Sequence, residues 1–322
     1  MDRESRLDDL RREARETGTV QAPGVRPAGA PFPVADAEHG YYGLPLLKRP
    51  TWTWEVPAYL FVGGTAGAAA LIGAAASMSG HPTLARDARW IAAAGAAASP
   101  PLLISDLGRP DRFLNMLRVF KVQSPMSVGV WTLVAFSTAS ATAAFADVAS
   151  RLLPASTPVR TVRNASELMA ASTGIAMSTY TGVLIGATSI PVWSANVRLL
   201  PIHFAAGSLG GAASLLEIAG HRHRGLHLLA LASAAVETAV AFDLERRTDR
   251  TNAPLREGAS GTLIRAGGIL SGPVPLVLRL LGGRSPGWRR AAGLCAVAGA
   301  LLSRFGWVRA GAASADDPDV AL

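Results

Sequence analysis

The chain is poor in charge, in cysteine and in aromatic side chains. Only 17% of its 322 residues are charged, against about 25% in a soluble domain. That shortfall, beside 49% hydrophobic residues, excludes an ordinary soluble domain and places the chain in the membrane class. The single cysteine, Cys295, excludes an internal disulfide and a resident iron–sulfur cluster, which takes about four thiolates. It lies in an apolar run and reads as a packed helix residue. Of six histidines, only His203 and His227 lie near apolar spans, and toward opposite faces. The two axial ligands of a membrane b-type haem are therefore lacking. No P-loop, zinc signature or nucleophile elbow is present. The expectation is a chain with no haem, iron–sulfur cluster or metal of its own. The first residues alternate acids with arginines and contain no apolar core, which argues against a signal peptide.

The apolar residues that are present are mostly Ala, Leu, Val and Gly, the small types that let helix backbones approach closely in lipid. They gather in runs long enough to cross a bilayer, for which about 20 residues are needed. The runs fall at about 55–78, 88–106, 126–149, 166–191, 199–219, 225–243, 262–281 and 288–307. The expected fold is all-α: a polytopic membrane helical bundle of about eight transmembrane helices over residues 51–309. A Pro-rich arm over 1–50 precedes it and a small acidic tail over 310–322 follows. The seventh run contains Gly272, Pro273 and Pro275, which predicts a kink or a partly interfacial segment. Tryptophans 52, 54, 90, 131, 193, 288 and 307 fall near span ends, where aromatic belts form. Pairs such as Gly63 and Gly67, Gly182 and Gly186, and Gly207 and Gly211 predict close helix contacts.

The net charge of +8 comes from arginines in loops, as membrane topology demands. No nucleic-acid motif accompanies it, so nucleic acid is not an expected partner. An even number of spans puts both termini on one side, here named the N face. The loops on that side carry Arg109, Arg112, Arg118 and Lys121, then Arg246, Arg247, Arg250 and Arg256. The positive-inside rule makes that face cytoplasmic.

Ionisable groups at membrane depth are costly and mark function by default. Helix direction sends six polar groups to the N-face half. Glu55 opens span one, Asp106 closes span two, and Tyr180 lies within span four. Asn196 sits in the next loop, His203 enters span five, and Glu237 lies in span six. Asp147, Glu167 and Glu217 lie near the opposite interface, where a solvated head group accounts for them. The N-face set suits two-electron quinone chemistry: a Tyr or His to hydrogen-bond a carbonyl, and carboxylates to exchange protons. On its own it suits equally a proton, ion or solute site in a transporter.

Four segments carry a resemblance. They are WTWEVPAYLFVGGTAGAAAL (52–71), SDLGRPDRFLNMLRVFKVQSPMSVGVW (105–131), MSTYTGVLIGATSIPVWSAN (177–196) and LLPIHFAAGSLGGAASLLE (199–217). Together they resemble the polysulfide reductase NrfD (PsrC) family, over roughly residues 50–245. The resemblance implies an eight-helix subunit without a redox cofactor, in a prokaryotic plasma membrane. Its implied partners are an iron–sulfur electron-transfer subunit and a molybdopterin-type catalytic subunit. A quinone, menaquinone or ubiquinone, is then the substrate. The family's site residues map onto Tyr59 or the neighbouring Glu55, onto Asp106 and onto Tyr180. Tyr59 stands where some members have histidine. Asn196 and His203 are added from topology, Glu237 as a possible proton path, and Arg109, Arg112 and Arg118 as a docking surface. The expected function is a quinone-reactive subunit, incomplete as a catalyst alone. A transporter and a passive anchor are the rivals.

Overall fold

The computed structural model describes residues 47–107, 109–153, 156–282 and 285–317. The arm expected over 1–50 lies almost wholly outside them, as do residues 318–322. No strand occurs among the described residues. The long helices are α1 (Glu55–Met78), α2 (Pro82–Asp106), α3 (Pro125–Leu152) and α4 (Thr157–Gly186). After the short α5 (Pro191–Ser194) come α6 (Leu199–Ile218), α7 (Arg224–Arg246), α8 (Gly258–Ser271), α9 (Pro273–Leu281) and α10 (Pro286–Asp316). Proline begins α2, α3, α5, α9 and α10, where its missing N–H and fixed φ cost nothing. Ser124 and Ser156 cap α3 and α4 by accepting from the amides of Ser127 and Val159.

Seven spans, counting α8 and α9 as one, are long and apolar enough to cross a membrane. α2 makes an eighth when taken with the 3-10 segment Pro110–Leu117 that follows it. Inside α2, Pro100 leaves the Ala96 carbonyl without its helical donor. The Ser137 hydroxyl of α3 donates to that carbonyl at 3.2 Å, so a lipid-depth defect is repaired by a neighbouring helix. The seventh span breaks at Gly272, as its glycine and prolines predict.

The helices form two fused four-helix bundles. In the first, α1 packs on α2 and α4, and α3 closes the ring against both. In the second, α6 packs on α7 and α10, while α8 and α9 lie against α7 and α10. α1 and α4 against α6, and α1 against α10, join the two. α1 is therefore central. Its small residues make this possible: a Cβ on Gly67 would stand 2.5 Å from the Gly174 carbonyl of α4. Gly182 likewise lies against the Leu200 carbonyl of α6.

Three expectations are corrected. Asp147, Glu167 and Glu217 are not solvated head groups but buried ion-pair partners. Arg89 of α2, itself buried, reaches Asp147 at 2.5 Å and Glu167 at 2.6 Å. Arg279 of α9 reaches Glu217 at 2.5 Å and donates to the Ser214 hydroxyl at 3.2 Å. Buried charge is tolerated here because each carboxylate meets a guanidinium. Second, Trp193 and Trp307 are fully buried rather than in a lipid belt. The Trp193 indole donates to the Trp307 carbonyl at 2.8 Å, and Trp52 stacks on it at 5.1 Å. Third, residues 310–316, expected in the tail, belong to α10, which runs to Asp316. Its final turns are held by α5: the Val192 amide donates to Ser314 at 3.2 Å, and Gly311 lies against Trp193.

Candidate functional site

At the N-face end of the first bundle lies a cavity of about 100 Å³. Tyr59 and Val56 of α1, Leu103 and Asp106 of α2, Phe113 and Met116 of the 3-10 segment, Gly129 of α3 and Tyr180 of α4 line it. Helical spacing brings Val56, Tyr59, Leu60 and Gly63 onto the buried face of α1. Gly129 has no Cβ, so the Tyr180 ring lies directly on α3 and its hydroxyl donates to the Pro125 carbonyl. The lining side chains are apolar apart from two phenols, the Trp52 indole and one carboxylate, a composition suited to a flat ring bearing polar oxygens. An apolar cavity of roughly 150 Å³ admits a benzene ring. The room here is of that order, enough for part of one ring and not for an isoprenoid tail.

Asp106, the last residue of α2, is tied to the segment entering α1. The Thr53 amide donates to Asp106 Oδ1 at 3.0 Å, and the Thr53 hydroxyl lies 2.8 Å from the same oxygen. That hydroxyl also contacts Glu55 Oε2. Glu55 and Asp106 are half-exposed on the N face, while Tyr59 and Tyr180 are buried. Thus Glu55, Tyr59, Asp106 and Tyr180 come together at one place.

Residues 46–226 match the family described as Polysulphide reductase, NrfD. The match spans more than half of the chain.

The chain belongs to the NrfD family.

A search of curated proteins found no match to it. As an NrfD protein it is a membrane subunit of a redox complex. The matched segment contains α1 to α6 and the whole cavity just described, and ends in the first turn of α7.

The remaining N-face residues do not join that cavity. His203 and Glu237 form a second buried group in the other bundle, their Nδ1 and Oε1 3.1 Å apart. His203 Nε2 lies 2.8 Å from the Ser303 hydroxyl, and Ser271 donates to Glu237 at 2.7 Å. Arg304, fully buried, donates to the Phe204 carbonyl at 2.8 Å and sits 3.8 Å over the Phe204 ring. Gly207 makes room for Arg304 and Glu237, which a Cβ there would crowd. A cavity of about 170 Å³ borders His203, Glu237 and Ser303. Asn196 is buried as a structural tie: it donates to the Val192 carbonyl at 2.8 Å and to Asn252 at 2.7 Å, and accepts from Arg247 at 3.2 Å. The single N-face cluster expected from topology is thus divided between two bundles. Arg112 and Arg118 are exposed and Arg109 half-buried, in and beside the 3-10 segment that covers the first cavity.

Several participants escape the sequence reading. Arg304 and Arg279 sit inside the last two apolar runs, and an arginine at that depth was itself a signal. Thr53 carries no such signal, because its role depends on a carboxylate 53 residues away.

Proposed function

We propose that this chain is the quinone-reactive membrane subunit of its complex, exchanging electrons between the quinone pool and an iron–sulfur partner. The observation that carries the reading is the cavity in which Tyr59, Asp106 and Tyr180 meet among apolar walls. Reduction of a quinone takes two electrons and two protons. The Tyr59 hydroxyl donates to a quinone oxygen, Tyr180 does so on turning from the Pro125 carbonyl, and Asp106 exchanges protons with it. The electrons come from, or go to, a cluster in the partner, since one cysteine cannot hold one here. The partner docks on the N face over Arg109, Arg112 and Arg118, beside the cavity. A molybdopterin-type subunit completes the complex, in a prokaryotic plasma membrane with the N face cytoplasmic.

The test is binding of a quinone analogue to the assembled complex, wild type against Tyr180→Phe and Asp106→Asn. Saturable binding that weakens in either variant, with the complex intact, supports the reading. No binding by the wild type leaves a passive anchor or a transporter as the account.

A second role is favoured by a separate observation: buried Glu237 beside His203, Ser271 and a cavity. It makes Glu237 a step on a proton path. Loss of proton movement in Glu237→Gln, with quinone turnover retained, supports that role, and unchanged proton movement removes it.

A further inference from the structure

We infer that Thr53 is a positioning residue that relays protons between Glu55, at the N-face surface, and Asp106, at the cavity. This inference rests on the quinone reading above.

A threonine hydroxyl has one proton to donate and two lone pairs. The Thr53 hydroxyl is in hydrogen-bonding contact with both Asp106 Oδ1 and Glu55 Oε2, and the Thr53 amide already donates to that Asp106 oxygen. One hydroxyl proton cannot satisfy two carboxylates. Both contacts are bonds only when one carboxyl holds a proton and donates it to the hydroxyl oxygen. When a proton is on its way, a Glu55 carboxylic acid donates to Thr53 Oγ1, and Thr53 donates to Asp106.

Proton transfer follows with no atom gained or lost. The Glu55 O–H bond breaks as a new O–H bond forms on Thr53 Oγ1, while the original Thr53 proton passes to Asp106. Glu55, half-exposed, is then reprotonated from water. Asp106 lines the cavity and hands its proton to the quinone oxygen. Two such passages, with two electrons from the partner's clusters, convert quinone to quinol. Quinol oxidation runs the same steps in reverse.

The test uses the assembled complex. Its iron–sulfur clusters are pre-reduced with stoichiometric dithionite, and excess short-chain naphthoquinone is added. Cluster re-oxidation is followed in H2O and in D2O for wild type, Thr53→Val, Thr53→Ser and Glu55→Gln. Thr53→Val keeps the shape and the backbone bond to Asp106 but loses the hydroxyl. The expected result is a saturating rate lowered on the order of 10²-fold, the scale of one positioned proton-transfer step. The naphthoquinone concentration for half-saturation stays within about twofold, as for an interaction lost only in the reaction step. The solvent isotope effect rises, and Thr53→Ser restores the rate. Glu55→Gln, which cannot carry the proton, slows it likewise. A wild-type rate in Thr53→Val or in Glu55→Gln overturns the relay. So does a shift in half-saturation alone, or failure of Thr53→Ser to rescue. Wild-type clusters that naphthoquinone does not re-oxidise overturn the quinone reading itself.

Discussion

Replacing Gly67 with alanine perturbs the candidate site from a distance, through the crossing of α1 and α4. The added Cβ would stand 2.5 Å from the Gly174 carbonyl oxygen and 2.8 Å from Met177 Cβ, where ordinary contact begins at 3.4 Å. The nearer obstacle is backbone and cannot rotate away. The two helices must separate by 3.4 − 2.5, about 0.9 Å. Tyr59 lies about two turns from Gly67 along α1, and Tyr180 under two turns from Gly174 along α4. Helices are stiff over that length, so most of the displacement reaches the two tyrosines that line the cavity. A misplacement of about 1 Å at a reacting centre can cost about 10²-fold in rate. Overpacking of this kind costs about 1–3 kcal/mol in stability, which leaves a folded protein. The assay is re-oxidation of the proposed iron–sulfur partner's clusters by a naphthoquinone, with thermal melting of the same preparation. Gly287→Ala is the control, since a Cβ there meets nothing within 4 Å. A Gly67→Ala complex that melts and turns over like the Gly287→Ala complex refutes the reasoning, because the crossing would then not position the site.

Other outcomes follow from the same geometry. Tyr180→Phe and Asp106→Asn lower quinone-linked turnover while subunit assembly, read by gel filtration, stays intact; loss of the assembled complex would make these residues structural. Arg89→Ala leaves Glu167 buried without a guanidinium, at a cost of about 3–5 kcal/mol, while Asp147 keeps Arg151 at 3.0 Å, so its yield of folded protein and melting temperature fall well below those of an alanine substitution at exposed Arg86. Alanine at Arg112 and Arg118 together weakens partner association and flattens its dependence on ionic strength, measured by titration at two salt concentrations. An unaltered salt dependence would move the docking surface elsewhere.

Much of the fold was legible because its signals are local. A span needs only a run of apolar residues of bilayer length, and helix breaks at Gly272 and Pro273 are written in two adjacent residues. Tyr180 and Asp106 stood out because polar groups at membrane depth are conspicuous one at a time. The ion pairs were not legible. Arg89 meets Asp147 and Glu167 at separations of 58 and 78 residues, and Arg279 meets Glu217 at 62, so an interfacial residue and a buried pair look alike in one dimension. The tryptophans show the same limit. A Trp at a span end fits a lipid belt until Trp52 and the last turns of α10 are seen to close over Trp193.

By itself, then, the sequence determined an all-helical membrane chain, the direction of each span and the face on which the polar groups emerge. Those follow from hydropathy, length and alternation along the backbone. Only the tertiary structure decided which of those groups share a site. Glu55, Tyr59, Asp106 and Tyr180 meet because α1, α2 and α4 converge in one bundle, while His203 and Glu237 are drawn into another by α6 and α7. The physical reason is that direction is a property of one helix, whereas neighbourhood is set by packing, and packing here turns on which glycines let two backbones touch.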